Sequence, residues 1–267
     1  MPDAPDYSRK WMVLATVAVS ILVATASAGI VNVALPTLVT ELNSTFAAAQ
    51  WVILIYVLTQ ATLMPIIGRL GDIVGRKPIF VSGYIVFGVG SLLCGLAPTI
   101  YWLIGFRIIQ AVGGAMMLTL GFALIVEAFP ASERGRAVGS VSIFSSTGTV
   151  LGPVIGGLML SSLDWRWLFF ATVPVSILGM AMTMRYVPES KPTTGQRFDY
   201  LGAVTLFVSL LALLLALTAK TGGDAGEGRT LALYALAAIA FVVFVVAELR
   251  APQPMIELRL SATNSSP

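Results

Sequence analysis

From Trp11 to Thr40 the chain runs without a single charged side chain, and apolar runs of this kind recur almost to its end. Eight are long enough to cross a hydrocarbon core of about 30 Å, near residues 12–35, 50–69, 78–97, 101–125, 137–160, 167–187, 199–218 and 231–249. Backbone amides in lipid find no water, so a crossing segment either satisfies its own hydrogen bonds as a helix or joins a closed barrel. Barrel strands need only about 10 residues, far fewer than these runs hold. The spans are therefore helices, and the fold class is all-α, a polytopic membrane protein. Composition agrees: 11% of the residues are charged, against about 25% in soluble domains.

The first run poses a choice. Ala26-Ser27-Ala28 after Arg9-Lys10 and an apolar stretch has the look of a signal-peptidase site, but a secretory core is about 7–15 residues long and this run continues far past it. A retained helix is expected. With the N-terminus inside, Arg9, Lys10, Arg69, Arg76, Lys77, Arg134, Arg136, Arg185, Lys191, Arg197, Arg250 and Arg259 lie on the cytoplasmic side, against Arg166, Lys220 and Arg229 outside. Both termini are then cytoplasmic.

Several functions are disfavoured. A scattered net charge of +3 offers nucleic acid no basic face. The chain has no histidine and one cysteine, Cys94, so a His-ligated haem, a zinc cage and a disulfide framework lack their ligands, and no cofactor or metal is expected. No carboxylate pair or activated nucleophile falls inside the spans, and an enzyme is not expected. The expected partners are the lipid bilayer and a small-molecule substrate. The charged, Pro/Thr/Gly-rich stretch Arg185–Asp199 separates six helices from a final pair, giving a division at 1–190 and 191–267. The stretch TGGDAGEGR reads as the outer loop between the last two helices.

Three stretches are richer than packing requires. GRLGDIVGRKPIF, Gly68 to Phe80, combines spaced glycines with Asp72 and the basic pair Arg76-Lys77, as a tight charged connection would. FRIIQAVGGA places Arg107 within the fourth span, with Gln110 one turn on and Gly113-Gly114 beside it. A charge at that depth is expensive unless it faces protein or water, so it is either functional or bonded to carbonyls. GTVLGPVIGG sets Gly148, Gly152, Gly156 and Gly157 on a small-residue stripe with Pro153, fit for close helix contact. Ser27, Tyr56, Gln60, Arg107 and Gln110 fall at similar depth, with Asn32 nearer the surface; they either line a midplane cavity or join helices by hydrogen bonds.

These stretches resemble the major facilitator superfamily. Gly68, Asp72, Gly75, Arg76 and Lys77 match its loop motif, which the resemblance makes part of an inner gate. Arg107, Gln110 and Gly113 match its fourth-helix motif, with Ala111 in place of a glycine, and imply proton or substrate handling there. Gly148, Gly152, Pro153, Gly156 and Gly157 match its antiporter motif and imply export. IVNVALP and DWRWLFFATVP are similar to the fourteen-helix drug/proton antiporter branch, in which two extra helices follow a six-helix, 3+3 inverted-repeat half. The resemblance thus implies a transporter of drug-like or amphipathic molecules by efflux. It also places an Asp where this chain has Ser27 and a Thr at Gly29, so the usual proton-carrying carboxylate is missing. The final PMIELRLSATNSSP falls where the second six helices would begin. Alternating access needs two halves, so a second copy or a separate C-terminal half is expected, the alternative being a non-transporting remnant or a subunit that binds a partner.

Overall fold

A computed structural model describes residues 9–189, 199–222 and 227–250. Among the described residues the structure is nine helices: α1 Lys10–Glu41, α2 Phe46–Val74, α3 Arg76–Gly95, α4 Ile100–Ala128, α5 Arg134–Leu160, α6 Trp167–Phe170, α7 Thr172–Tyr186, α8 Tyr200–Gly222 and α9 Glu227–Arg250. Seven stretches are long and apolar enough to cross a membrane, counting α6 and α7 as one, Trp167–Tyr186. The seventh expected span, 199–218, forms α8, with Leu201–Leu217 apolar. The domain division at 190/191, residues 223–226 of the expected outer loop and the C-terminal tail lie outside the described residues, while the rest of that loop is helical, at the ends of α8 and α9.

The first run is one helix of 32 residues passing unbroken through Ala26-Ser27-Ala28. The sixth span differs from expectation, because it breaks at Ala171. Pro174 has no N–H to return to the Phe170 carbonyl, so the ladder lapses there and the helix restarts with Pro174 in its first turn. The connection expected from Gly68 to Phe80 is also far shorter than it reads. Gly68–Val74 complete α2 and Arg76 begins α3, which leaves Gly75 as the whole turn. Gly75 sits at φ 108°, ψ 140°, a conformation that a side chain would strain.

α1 and α4 are the buried centre, with α5 against α1, α2 and α3 against α4, and α7 closing on α3 and α1. α8 and α9 pack on each other, where Ser209 donates to the Ala237 carbonyl at 3.1 Å, and α8 touches α2. Two apolar clusters fill the bundle. One gathers Val17, Ile21, Phe80, Phe87, Met117 and Leu120. The other gathers Val31, Leu38, Val52, Leu103, Trp165 and Phe169. On α4 the residues between Leu103 of one cluster and Ala111 of the other include Arg107 and Gln110.

Candidate functional site

Arg107 lies in a polar layer between the two apolar clusters and is fully buried, with 0% of its surface exposed. Its guanidinium is held on three sides. Nε donates to the Val52 carbonyl of α2 at 3.1 Å, and Nη1 donates to Ser27 Oγ of α1 at 3.1 Å and to Gln110 Oε1 at 2.6 Å. Gln110 Nε2 passes the chain on to Ser91 Oγ of α3 at 2.7 Å, and the Thr172 hydroxyl of α7 lies 2.9 Å from that oxygen. The guanidinium carbon stands 4.0 Å from the centroid of the Tyr56 ring, a cation–π contact strengthened by the burial of both groups. The Tyr56 hydroxyl donates to the Ala24 carbonyl at 3.0 Å. Arg107 therefore points neither at lipid nor into a wet cleft. Ser27, Tyr56, Arg107 and Gln110 are almost wholly enclosed by protein, and interhelical hydrogen bonding, not a cavity lining, describes them. Gln60 is half-buried next to them, and its amide nitrogen has no partner among the described residues.

Ser91, Thr172 and the Val52 carbonyl belong to this layer and do not stand out in the sequence. Lone hydroxyls in membrane helices usually bond the carbonyl four residues back, as Ser176 and Thr183 do here, so nothing local marks the two that also reach across.

Asn32 lies apart, exposed, with its amide nitrogen donating to the Ala28 carbonyl at 3.3 Å. It belongs to a second polar feature. α1 and α5 run parallel and meet backbone to backbone. A Cβ on Gly152 would lie 2.8 Å from the Ala26 carbonyl and 3.1 Å from the Ile30 nitrogen, and one on Gly156 would lie 3.2 Å from the Ile30 carbonyl. Gly148 meets Leu22 and Thr25 in the same way. On the other side Gly29 leaves room for the Thr149 carbonyl, the one that Pro153 deprives of its ladder bond. Gly157 does not share in this, since its Cβ would come only within 3.9 Å of Val33.

Beside that seam, Ser142, Ser146 and Thr149 are exposed. At 100° per residue they fall within a sector of about 60° on α5, whereas the exposed apolar Ile143, Val150, Val154 and Leu158 occupy a separate sector. The parallel register turns Thr25 and Asn32 of α1 to the same side as the three hydroxyls. The i, i+4, i+7 spacing of the α5 hydroxyls carries this strip in the sequence, beside the more conspicuous glycines.

The third feature is ionic and lies at the end of the bundle that holds Lys10. Arg76 donates to Asp72 Oδ1 at 3.0 Å across the Gly75 turn, and to Glu127 Oε2 at 3.3 Å and the Ala123 carbonyl at 3.2 Å on α4. Lys77 pairs with Glu189 at 3.0 Å and Lys10 with Glu133 at 2.7 Å. α2, α3 and α4 are thereby clasped at one end. Gly68 adds little, because a Cβ there would meet only Thr119, at an ordinary 3.6 Å, whereas Gly71 packs directly on Leu120.

Comparison with known proteins gives a consistent result. A family model described as Major Facilitator Superfamily matches residues 17–249. Multidrug resistance protein 3 of Bacillus subtilis (strain 168) is 37% identical over 210 residues, covering 79% of this chain and 41% of that protein. The riboflavin transporter RibZ of Clostridioides difficile (strain 630) is 32% identical over 208 residues, covering 77% of this chain and 45% of its own length. The chain thus spans less than half the length of these curated relatives. The crystal structure of the human organic anion transporter MFSD10 (TETRAN) superposes with a TM-score of 0.60 at 14% identity, over 91% of this chain and 73% of that one, a likeness of fold.

Proposed function

The chain belongs to the major facilitator superfamily, and from that premise we propose that it is the N-terminal half of an exporter of amphipathic small molecules. In this reading both termini face the cytoplasm, residues 1–190 form the six-helix half, and residues 191–267 carry two added helices.

One observation carries the reading. Asn32, Ser142, Ser146 and Thr149 are exposed and, with the half-buried Thr25 beside them, form a polar strip along two helices long and apolar enough to cross a membrane. In lipid such groups gain nothing over apolar side chains, so a strip of them segregated from the apolar sector of α5 is suited to a water-filled path. A second six-helix body facing that strip completes the path, whether it is a second copy or a separate C-terminal half. Apolar neighbours with a few hydroxyls and one amide suit a bulky amphipathic substrate. The Asp72–Arg76–Glu127 clasp then serves as the inner gate, and the closely packed α1–α5 pair moves as one rigid unit. The buried layer around Arg107 positions α1 through α4 against each other and does not touch substrate.

The test is dye expulsion from membrane vesicles carrying the chain, alone or together with the second half of a relative. Wild type is expected to expel a lipophilic cationic dye in one of these settings. Thr149→Trp, which fills the strip without entering the bundle, is expected to abolish expulsion while leaving the melting temperature unchanged. Absence of expulsion by wild type in both settings would remove the transport reading.

A further inference from the structure

A groove of about 510 Å³ lies between the start of α3 and the end of α7. Its chemistry changes along its length. Lys77 and Glu189 line it at the end of the bundle, and Val81, Ile85 and Met184 make the deeper part apolar. The apolar character continues past the groove: the exposed residues of α3 beyond it are Ile85, Val89 and Leu92, and those of α7 before it include Ile177 and Leu178. No exposed hydroxyl, amide or charge interrupts this face between Ile85 and Leu92, in contrast to the polar strip of α1 and α5. It is a face made for lipid. The ion pair at the head of the groove is lopsided. Lys77 Nζ lies 3.0 Å from Glu189 Oε1 and donates to the Met184 carbonyl at 3.4 Å, and the lysine side chain is 14% exposed while that of Glu189 is 80% exposed. The cation is therefore fixed in the groove, whereas the carboxylate stands in water that can replace its bond at little cost. Arg185, beside Met184 in the last turn of α7, is exposed at the same end. Two cations stand there against one carboxylate.

We propose that this groove binds one anionic phospholipid, whose phosphate takes the place of Glu189 on Lys77 and whose acyl chain lies over Val81 and Ile85 toward Val89. A basic recess between membrane helices at head-group level suits such lipids. The lengths agree, because Lys77 and Val89 are separated by about 18 Å of helix rise and one leaflet contributes about half of a 30 Å hydrocarbon core. The inference does not depend on transport. It requires only that α3 and α7 lie in a bilayer.

The two members of the ion pair supply the test. The full chain, purified in detergent, is titrated with phosphatidylglycerol or phosphatidylcholine, and the lipid it retains is counted by native mass spectrometry. Wild type is expected to retain one phosphatidylglycerol about fivefold more tightly than phosphatidylcholine, the weight of a single basic residue toward anionic lipid. Lys77→Gln is expected to lose this preference and Glu189→Gln, which removes the competing carboxylate, to strengthen it. Both variants break the same ion pair, so a merely structural role would move them in the same direction. Equal retention of the two lipids by wild type, or an undiminished preference in Lys77→Gln, overturns the proposal. So does weaker retention of phosphatidylglycerol by Glu189→Gln, which would make the carboxylate part of the site. Displacement of the lipid by an equal concentration of inorganic phosphate would show a site for free anions and overturn it as well. If Lys77→Gln does not fold, Ile85→Trp decides: it fills the apolar part of the groove from an exposed position, and undiminished retention in that variant also overturns the proposal.

Discussion

Gly152 and Gly157 both belong to the glycine-rich stretch of α5, yet alanine at the two positions should act with opposite sign. A Cβ on Gly152 would lie 2.8 Å from the Ala26 carbonyl, 3.1 Å from the Ile30 nitrogen and 3.2 Å from the Gly29 Cα. All three are backbone atoms of α1, which cannot swing aside as a side chain can. The helices must separate, at an overpacking cost of about 1–3 kcal/mol, offset by about 1 kcal/mol gained when alanine replaces glycine in a helix. At Gly157 the closest atom is Val33 Cγ1 at 3.9 Å, ordinary contact, so only the gain remains. The two variants should therefore differ by about 1–3 kcal/mol, or several degrees in melting temperature for a chain of this size. Thermal melts of the purified variants in one detergent measure this directly. Gly152→Ala is expected at or below wild type and Gly157→Ala at or above it. Equal shifts, or a lower value for Gly157→Ala, would refute the backbone-to-backbone contact between α1 and α5.

Other outcomes follow from the same geometry. Gln110→Leu adds apolar surface to a membrane helix but orphans an Arg107 proton and removes one of the bonds that Ser91 accepts, so it is expected to destabilise by about 1–3 kcal/mol; a raised melting temperature would contradict the network. Gly75→Ala forces a side chain into φ 108° and is expected to destabilise by about 1–3 kcal/mol, against no loss and up to about 1 kcal/mol gained for Gly135→Ala, which lies in α5 and meets nothing within 4 Å. Asp72→Asn removes a partly exposed pair and is expected to shift stability by less than about 1 kcal/mol. A larger loss would mean that the clasp holds the bundle together and is not a gate in the proposed sense.

The spans were legible in the sequence because charge-free length is a one-dimensional property that the bilayer imposes directly. Ends and breaks were less so. The stretch after Gly68 is polar enough to read as a loop, yet helical bonding continues to Val74 because the Gly75 conformation completes the reversal alone. The break at Ala171 was written in Pro174 but is masked by the apolar residues around it. For the site, depth along each helix brought Ser27, Tyr56, Arg107 and Gln110 together correctly. Which way each faced is a property of several helices at once, so the closed environment of Arg107 and the separate exposure of Asn32 emerge only when the bundle is assembled. The exposed hydroxyls on α5 were readable as a sector, since rotation per residue is fixed, but their place beside Asn32 needed the α1–α5 register.

The most direct measurement is water access to the α1–α5 strip. The one cysteine of the chain, Cys94, is buried, so single cysteines at Asn32, Ser146 and Thr149 can be labelled in intact membranes with a charged, membrane-impermeant maleimide. Labelling at these three positions and none at Val150 or Leu158, in the apolar sector of the same helix, is the expected result. Protection of all five positions would mean that the strip faces lipid or a dry interface and lines no path for a substrate.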